Sequence, residues 1–331
     1  MNGVVIRNWL PAAIILAIGL AAPFLVQGNY QLRLATLIWI YAVFGMGFNL
    51  LFGLAGQLSL GQQAFFAIGG YSFAIFQIQF GMPLPLAALV ALVIAAASGL
   101  IIGLPVLRLR THYLAMGTLM FAMVVHDIAL RWTDLTGGTS GLRVPAPELF
   151  GERLERIHVY YLIFAVAVVA FLVQVFVKSM HLGRALEAVK TDETAASSLG
   201  INVTRYKISV FVLAAVFAAG AGICYAMVSR GVDPSYSGIG MVVNLLTLAV
   251  LGGLGSRIGP FLGAAIVILA PQLLAGLQEY ETLVYGFFLL FFMIFLPRGL
   301  AGLVERQGGS TAPASDADGG RTSATPAEVR P

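Results

Sequence analysis

The chain has 331 residues, 59% of them hydrophobic and only 10% charged, with a formal net charge of +4 and a mean hydropathy of +0.90. A soluble domain carries roughly 25% charged residues, so a chain this poor in charge cannot clothe a soluble surface and must face lipid. Its basic residues are scattered between apolar runs, which excludes a nucleic-acid footprint. Its single cysteine, Cys224, excludes an intramolecular disulfide and reads as packing.

A spanning helix needs about 20 mostly apolar residues. In chain order, candidate runs fall near 9–27, 33–53, 59–79, 84–107, 113–131, 159–178, 207–229, 240–254, 258–276 and 280–297. The first, from Trp9 to Val26, exceeds the roughly 7–15 apolar residues of a secretory signal, so it reads as a retained helix. The eighth is short, and it and the third are the two that could be re-entrant. The expected fold is an all-α polytopic membrane protein of about ten transmembrane segments, filling residues 1–307. Residues 308–331 turn to Gly, Ser, Thr, Ala, Pro and Asp and read as a disordered tail.

Ten spans place both termini on one side. With that side cytoplasmic, 13 Lys and Arg residues lie inside and 6 outside, or 11 against 6 without the two tail arginines. This agrees with the excess of positive charge on the cytoplasmic face.

The third run is interrupted. "LFGLAGQLSLGQQAFFAIGGY", residues 51–71, holds five glycines, three glutamines and a serine. Irregular backbone at membrane depth is tolerated only against protein or a water-filled path. Gln57, Ser59, Gln62 and Gln63 would be costly toward lipid. "VLGGLGSRIGP", residues 250–260, has the same character. Two glycine-interrupted segments in corresponding halves are the signature of an internal repeat with a transport path between its parts. Close helix packing by small residues is the alternative. On the path reading, Asn49, Gly56, Gln57, Ser59, Gln62, Asn244, Gly253 and Gly255 are the candidate lining. Asn49 and Gln57 share a face only if the helix runs on through Gly53 and Gly56.

Two hydrophilic loops remain. The outside one, 132–158, contains "LTGGTSGL" and "ERLER" and is either a plain connector or a short surface helix that meets an external partner. His126 and Asp127, just before it, read as interfacial. The inside loop, 178–207, carries Leu182, Leu186, Val189, Ala196 and Leu199 at helical spacing. Thr191 is a candidate cap, Asp192 and Glu193 suit a helix N-terminus, and Gly200 suits a helix end. The loop therefore reads as one or two short amphipathic helices, and its mixed-sign, aromatic-poor polar face favours docking to a protein over lying on lipid.

"GRALEAVKTDETAASSLGIN" resembles the cytoplasmic coupling loop of permeases from ATP-binding-cassette importers, and best that of the branched-chain amino acid type. In many such loops Glu-Ala-Ala is followed, after three intervening residues, by Gly. Ala195, Ala196 and Gly200 fit that spacing, whereas Thr194 holds the Glu position and Glu193 sits one place earlier. "GLAGQLSLGQQAFFAIGGY", "LRLRTHYLAMGTL", "LTGGTSGL", "VLGGLGSRIGPFLGA" and "FLPRGLAGL" carry the resemblance along almost the whole chain, closest to the M-type subunit. The resemblance implies a second related permease, two ATP-binding cassette subunits and an external solute-binding protein as partners, in a bacterial cytoplasmic (inner) membrane. It implies ATPase coupling through Gly183, Arg184, Leu186, Glu187, Asp192, Glu193, Ala195, Ala196 and Gly200. Related permeases for urea and short amides are similar.

The sequence has no Gly-rich phosphate loop, metal-ligand cluster or nucleophile elbow, so no cofactor and no enzymatic centre are expected in the chain itself. A self-sufficient secondary transporter or channel is the other class. Ion-coupled carriers usually place charge at the midplane, and these spans are nearly free of it.

Overall fold

The computed structural model describes residues 14–24, 28–109, 111–149, 151–273 and 299–306. The tenth candidate run and the tail 308–331 lie outside them. The described chain is a bundle of helices with a few two-residue strands. Helix α1 is Ile14–Phe24. Helix α2, Asn29–Phe48, runs into a π-helical turn, Asn49–Leu54. Then follow α3 (Gln62–Phe80), α4 (Leu84–Val106) and α5 (Thr111–Arg131).

After the single turn α6 (Thr133–Thr136), the outside loop forms a 3-10 turn and three short strands: β1 (Leu142–Arg143), β2 (Glu148–Leu149) and β3 (Glu152–Arg153). Helix α7 is Arg156–Ser179, α8 His181–Thr191, α9 Glu193–Ser198 and α10 Val203–Ser229. Strand β4 (Gly231–Val232) and a 3-10 turn, Pro234–Ser237, lead to α11 (Ile239–Gly252) and α12 (Gly259–Leu273). The last described helix is α13, Gly299–Arg306.

Five helical stretches are long and apolar enough to cross a membrane: Asn29–Leu54, Leu84–Val106, Tyr113–Arg131, Arg156–Ser179 and Val203–Ser229. Helix α3 has 19 residues, about 28 Å at 1.5 Å per residue, but its glutamines keep it out of that set. Helix α11 has 14 residues, about 21 Å, short of a hydrocarbon core of about 30 Å.

The centre of the bundle is α2, α3 and α10, and the rim is α4, α5 and α7. Helix α4 shows why a helix apolar on every side still has a direction. Ala87, Ala91, Ala95, Gly99 and Gly103, spaced four apart, are buried, whereas Leu89, Val93, Leu100 and Ile101 are exposed. Lipid is as apolar as leucine, so small residues go to the helix contact, where backbones can approach, and large ones to the lipid. The α3–α10 contact takes this furthest: a Cβ on Gly222 would lie 1.9 Å from the Phe66 carbonyl. Trp39 of α2 donates to the Tyr160 hydroxyl of α7 at 3.0 Å, which donates to Gly19 O of α1 at 2.6 Å. That relay fixes α1 to the core.

The outside loop corrects the expected surface helix. "LTGGTSGL" is a run of glycine turns that delivers β1 to β4 in antiparallel register, Leu142 opposite Val232. The first part of "ERLER" is β3, paired with β2. Gly137, Gly138 and Gly141 all have positive φ, which a regular α-helix through them would not have. His126 Nδ1 lies 2.9 Å from Pro234 O and so ties α5 to the turn before α11. In that turn burial pushes the Tyr236 phenol above its ordinary pKa against the hydrogen bond from Ser229, so it stays a neutral donor.

Candidate functional site

The two glycine-rich stretches are breaks between helices, and they meet. In the first, a π-type bond runs from Ala55 N to Leu50 O, and a wider one from Gln57 N to Leu51 O closes the turn. Gly56 then turns the chain with φ +67°. In the second, Gly253 (φ +100°) and Gly255 (φ +81°) separate α11 from α12. Asn49 joins them. Its amide donates to Ser256 O at 2.6 Å, and its carbonyl accepts from Gly255 N at 2.7 Å. A Cβ on Gly53 would fall 2.5 Å from Asn49 Oδ1 and 2.7 Å from Gly255 N, so glycine there is what lets the breaks touch.

Asn49 and Gln57 do not share a helix face, because the helix does not run on. Gln57 lies in the irregular segment, 4% exposed, and Gln62 opens α3, 1% exposed. Neither amide has a hydrogen-bond partner among the described residues, at either its oxygen or its nitrogen. A buried polar group left unmatched costs about 1–3 kcal/mol, and native structures rarely carry one without a reason. Ser59 is fully buried and accepts from Gly61 N at a long 3.4 Å. Thr118 of α5 holds the segment, accepting from Leu60 N at 3.0 Å. Asn244 stands apart from this junction. It is half-buried on α11 and makes no side-chain hydrogen bond among the described residues.

The 178–207 segment forms the two short helices expected, α8 and α9, with one correction to the cap. Asp192, not Thr191, is the N-cap of α9, accepting from Thr194 N at 2.7 Å and Ala195 N at 3.1 Å. The Thr191 hydroxyl instead donates to Glu187 O one turn back, so it is the last turn of α8. Gly200 closes α9 with φ +83°. Gly183, Leu186 and Ala196 point into the protein, as does Val189; Arg184, Glu187, Asp192, Glu193, Ala195 and Gly200 are exposed. Leu199 is 80% exposed, so it is not part of the buried face its spacing suggested. Glu193 pairs with Lys207 at the start of α10.

Helices α7 and α8 reach both breaks. Lys190 of α8 donates to Gly53 O at 2.7 Å, and Lys178 of α7 donates to Gly255 O. One turn before Lys178, Gln174 is fully buried with no hydrogen-bond partner on its amide among the described residues. Thr247 Oγ1 of α11 is likewise buried and unmatched. Sequence reasoning missed Lys178, Lys190, Gln174, Thr118 and Thr247. A glutamine inside "AFLVQVFVKS" was the available signal, since a lone amide in an apolar span is rarely idle. At the opposite end of α2 a cavity of about 510 Å³ is lined by Arg33, Arg156 and Arg230 with Thr36 and Ser229.

A family model described as branched-chain amino acid transport system / permease component matches residues 30–296. The chain belongs to this permease family. The high-affinity branched-chain amino acid transport system permease protein LivM of Salmonella typhimurium (strain LT2) is 34% identical over 93% of this chain and 78% of that protein. LivM of Escherichia coli (strain K12) is 32% identical over the same shares. The corresponding LivH of Escherichia coli (strain K12) is 28% identical over 80% of this chain and 92% of its own length. The likeness to LivM is thus the stronger of the two, as the M-type motifs imply. No solved structure matches. With its apolar helices, this permease is a multi-pass membrane protein.

Proposed function

We propose that this chain is one of two related permease subunits of an ATP-driven importer for branched-chain amino acids in a bacterial inner membrane. The full account has about ten spans, both termini cytoplasmic, an internal repeat that pairs the two breaks, and a tail beyond residue 307. ATP is hydrolysed by two separate cassette subunits that grip α8 and α9, and an external receptor delivers substrate. The observation that carries the reading is the family match across residues 30–296, joined to a pair of short surface helices whose exposed face is free to meet a partner.

The path runs at the first break. Support comes from Gln57 and Gln62, buried amides without hydrogen-bond partners among the described residues, the first in backbone that is not helical and the second at the start of α3. A zwitterionic amino acid passing there meets neutral hydrogen-bonding groups, which bind its ends without trapping it, and an apolar wall of valine, leucine and phenylalanine. Asn49, Ser59, Gly56, Gly253 and Gly255 shape this junction. Asn244 is the member of the set with the least support, since it stands apart.

Reconstitution tests the reading. Liposomes holding this chain, a second family permease and the cassette subunits, supplied with receptor, are expected to accumulate leucine only with ATP and only when every subunit is present. ATP-driven accumulation by this chain alone would overturn it.

A further inference from the structure

The Gly53 carbonyl sits at the end of the π-helical turn, where a helix leaves its last acceptors unmatched and carries partial negative charge. No backbone N–H reaches it among the described residues; Lys190 does, from another helix. The lysine stem lies across Gly56, where an added Cβ would come within 3.0 Å of Lys190 Cγ. Helix α2 is therefore capped in trans, by the last turn of α8. Lys178 performs the matching task for the second break at Gly255. Asn49 binds the two breaks together. The result is a closed ring from Lys178 through Gly255, Asn49 and Gly53 to Lys190, and both lysines belong to the α7–α8 corner.

We propose that Lys190 is a positioning residue of transport: its ammonium ties the surface helix α8 to the end of α2, so that displacement of α8 releases the first break and lets the path open. This rests on the reading that α8 and α9 meet the ATPase. A shift of α8 by one or two ångströms ruptures a 2.7 Å hydrogen bond. Lys178, on the long helix α7, stays in place and holds the second break still. The two lysines thus give the two breaks different mobility from the same chemistry.

The test uses the assembled importer in liposomes and reads substrate moved per ATP hydrolysed. Lys190→Met keeps the stem over Gly56 and removes the donor. It is expected to assemble and to keep receptor-stimulated ATPase within about twofold, while substrate per ATP falls about tenfold, the scale of one charge-assisted hydrogen bond. Lys190→Arg, which keeps a cationic donor, is expected to recover most of that loss. Unchanged substrate per ATP in Lys190→Met overturns the proposal. So does a proportional fall of uptake and ATPase with Lys190→Arg no better, because that is the behaviour of a merely structural contact.

Hydrogen–deuterium exchange on the unmodified importer decides independently of any folding defect. The amides of Ala55, Gly56 and Gln57 are expected to exchange faster when a non-hydrolysable ATP analogue closes the cassette subunits. Equal protection with and without the analogue overturns the proposal. The docking reading itself fails in a different way: Ala195→Trp on the exposed face of α9 would then leave assembly and stimulated ATPase untouched.

Discussion

The two breaks are made from the same residue type and come out differently. At the second, the Ser256 hydroxyl is spent on the local backbone. Ser256 accepts from Ile258 N and Gly259 N, both at 3.2 Å, and so caps α12. Gly252 and Gly259 lie so close that an added Cβ on either meets the other's neighbourhood within 2.4 Å. At the first, the chain keeps two buried glutamines whose amides are unmatched among the described residues. Glycine alone therefore does not make a path. It makes a place where backbone can bend or approach; on the proposed reading, the polar side chains left over decide whether anything passes. The second break is closely packed; the first has hydrogen-bonding capacity to offer.

The largest effect should come from the residue that serves both. Asn49→Ala removes a donor and an acceptor at once, so that half-buried Gly255 N and buried Ser256 O each lose the bond to Asn49. At about 1–3 kcal/mol for each stranded group, the loss is roughly 2–6 kcal/mol. Thermal unfolding of the assembled importer should show a marked drop, with Asn49→Asp, which keeps the acceptor for Gly255 N, intermediate. Melting equal to the parent in Asn49→Ala would mean that the two breaks are not joined through it.

Gly253→Ala should follow. Its φ of +100° lies in a region that side-chain-bearing residues avoid, and the substitution should cost about 1–2 kcal/mol. Gly240→Ala is the comparison. That glycine is inside α11 and an added Cβ meets nothing within 4 Å, so the variant should be stabilised by up to about 1 kcal/mol. Equal effects of the two would remove strain as the reason for glycine at the second break.

Glu193→Lys should be the mildest in stability. Its pair with Lys207 is exposed on the glutamate side, and such pairs contribute about 0–1 kcal/mol. The functional effect should be larger than the structural one, because the charge sits on the face proposed for the ATPase. Assembly near normal with receptor-stimulated ATPase reduced is the expected outcome; full stimulation would place the dock elsewhere on the surface.

The membrane class, the positions of the described helices and the helical character of 178–207 could be read from the sequence because they rest on runs and periods within one segment. Glycine also marked both breaks correctly. What the sequence could not convey is how segments two hundred residues apart meet. Asn49 looked like a partner for Gln57, eight residues on, and is instead the partner of Gly255 and Ser256. Lys178 and Lys190 count in the sequence only among the inside positive charges and are caps for carbonyls in the breaks. The Thr191 misreading is local: Thr and Asp are both good caps, and the extended backbone of Asp192 (φ −156°, ψ 113°) decides for the second. The outside loop misled because a charged cluster such as "ERLER" suits a surface helix as well as a hairpin, and only the glycines upstream set its course.

The central claim is that the buried amides of the first break serve a passing substrate rather than the fold, and Gln57→Leu tests it most directly. Leucine is of similar size and removes a polar group that has no partner to lose among the described residues, so the assembled importer should melt no lower than the parent, and higher if the desolvation of the amide is relieved. Its ATPase should still respond to loaded receptor, while leucine uptake falls about tenfold, the scale of one hydrogen bond lost to the substrate in transit. Unchanged uptake in a fully assembled Gln57→Leu importer would contradict the account and leave residues 53–63 as scaffold.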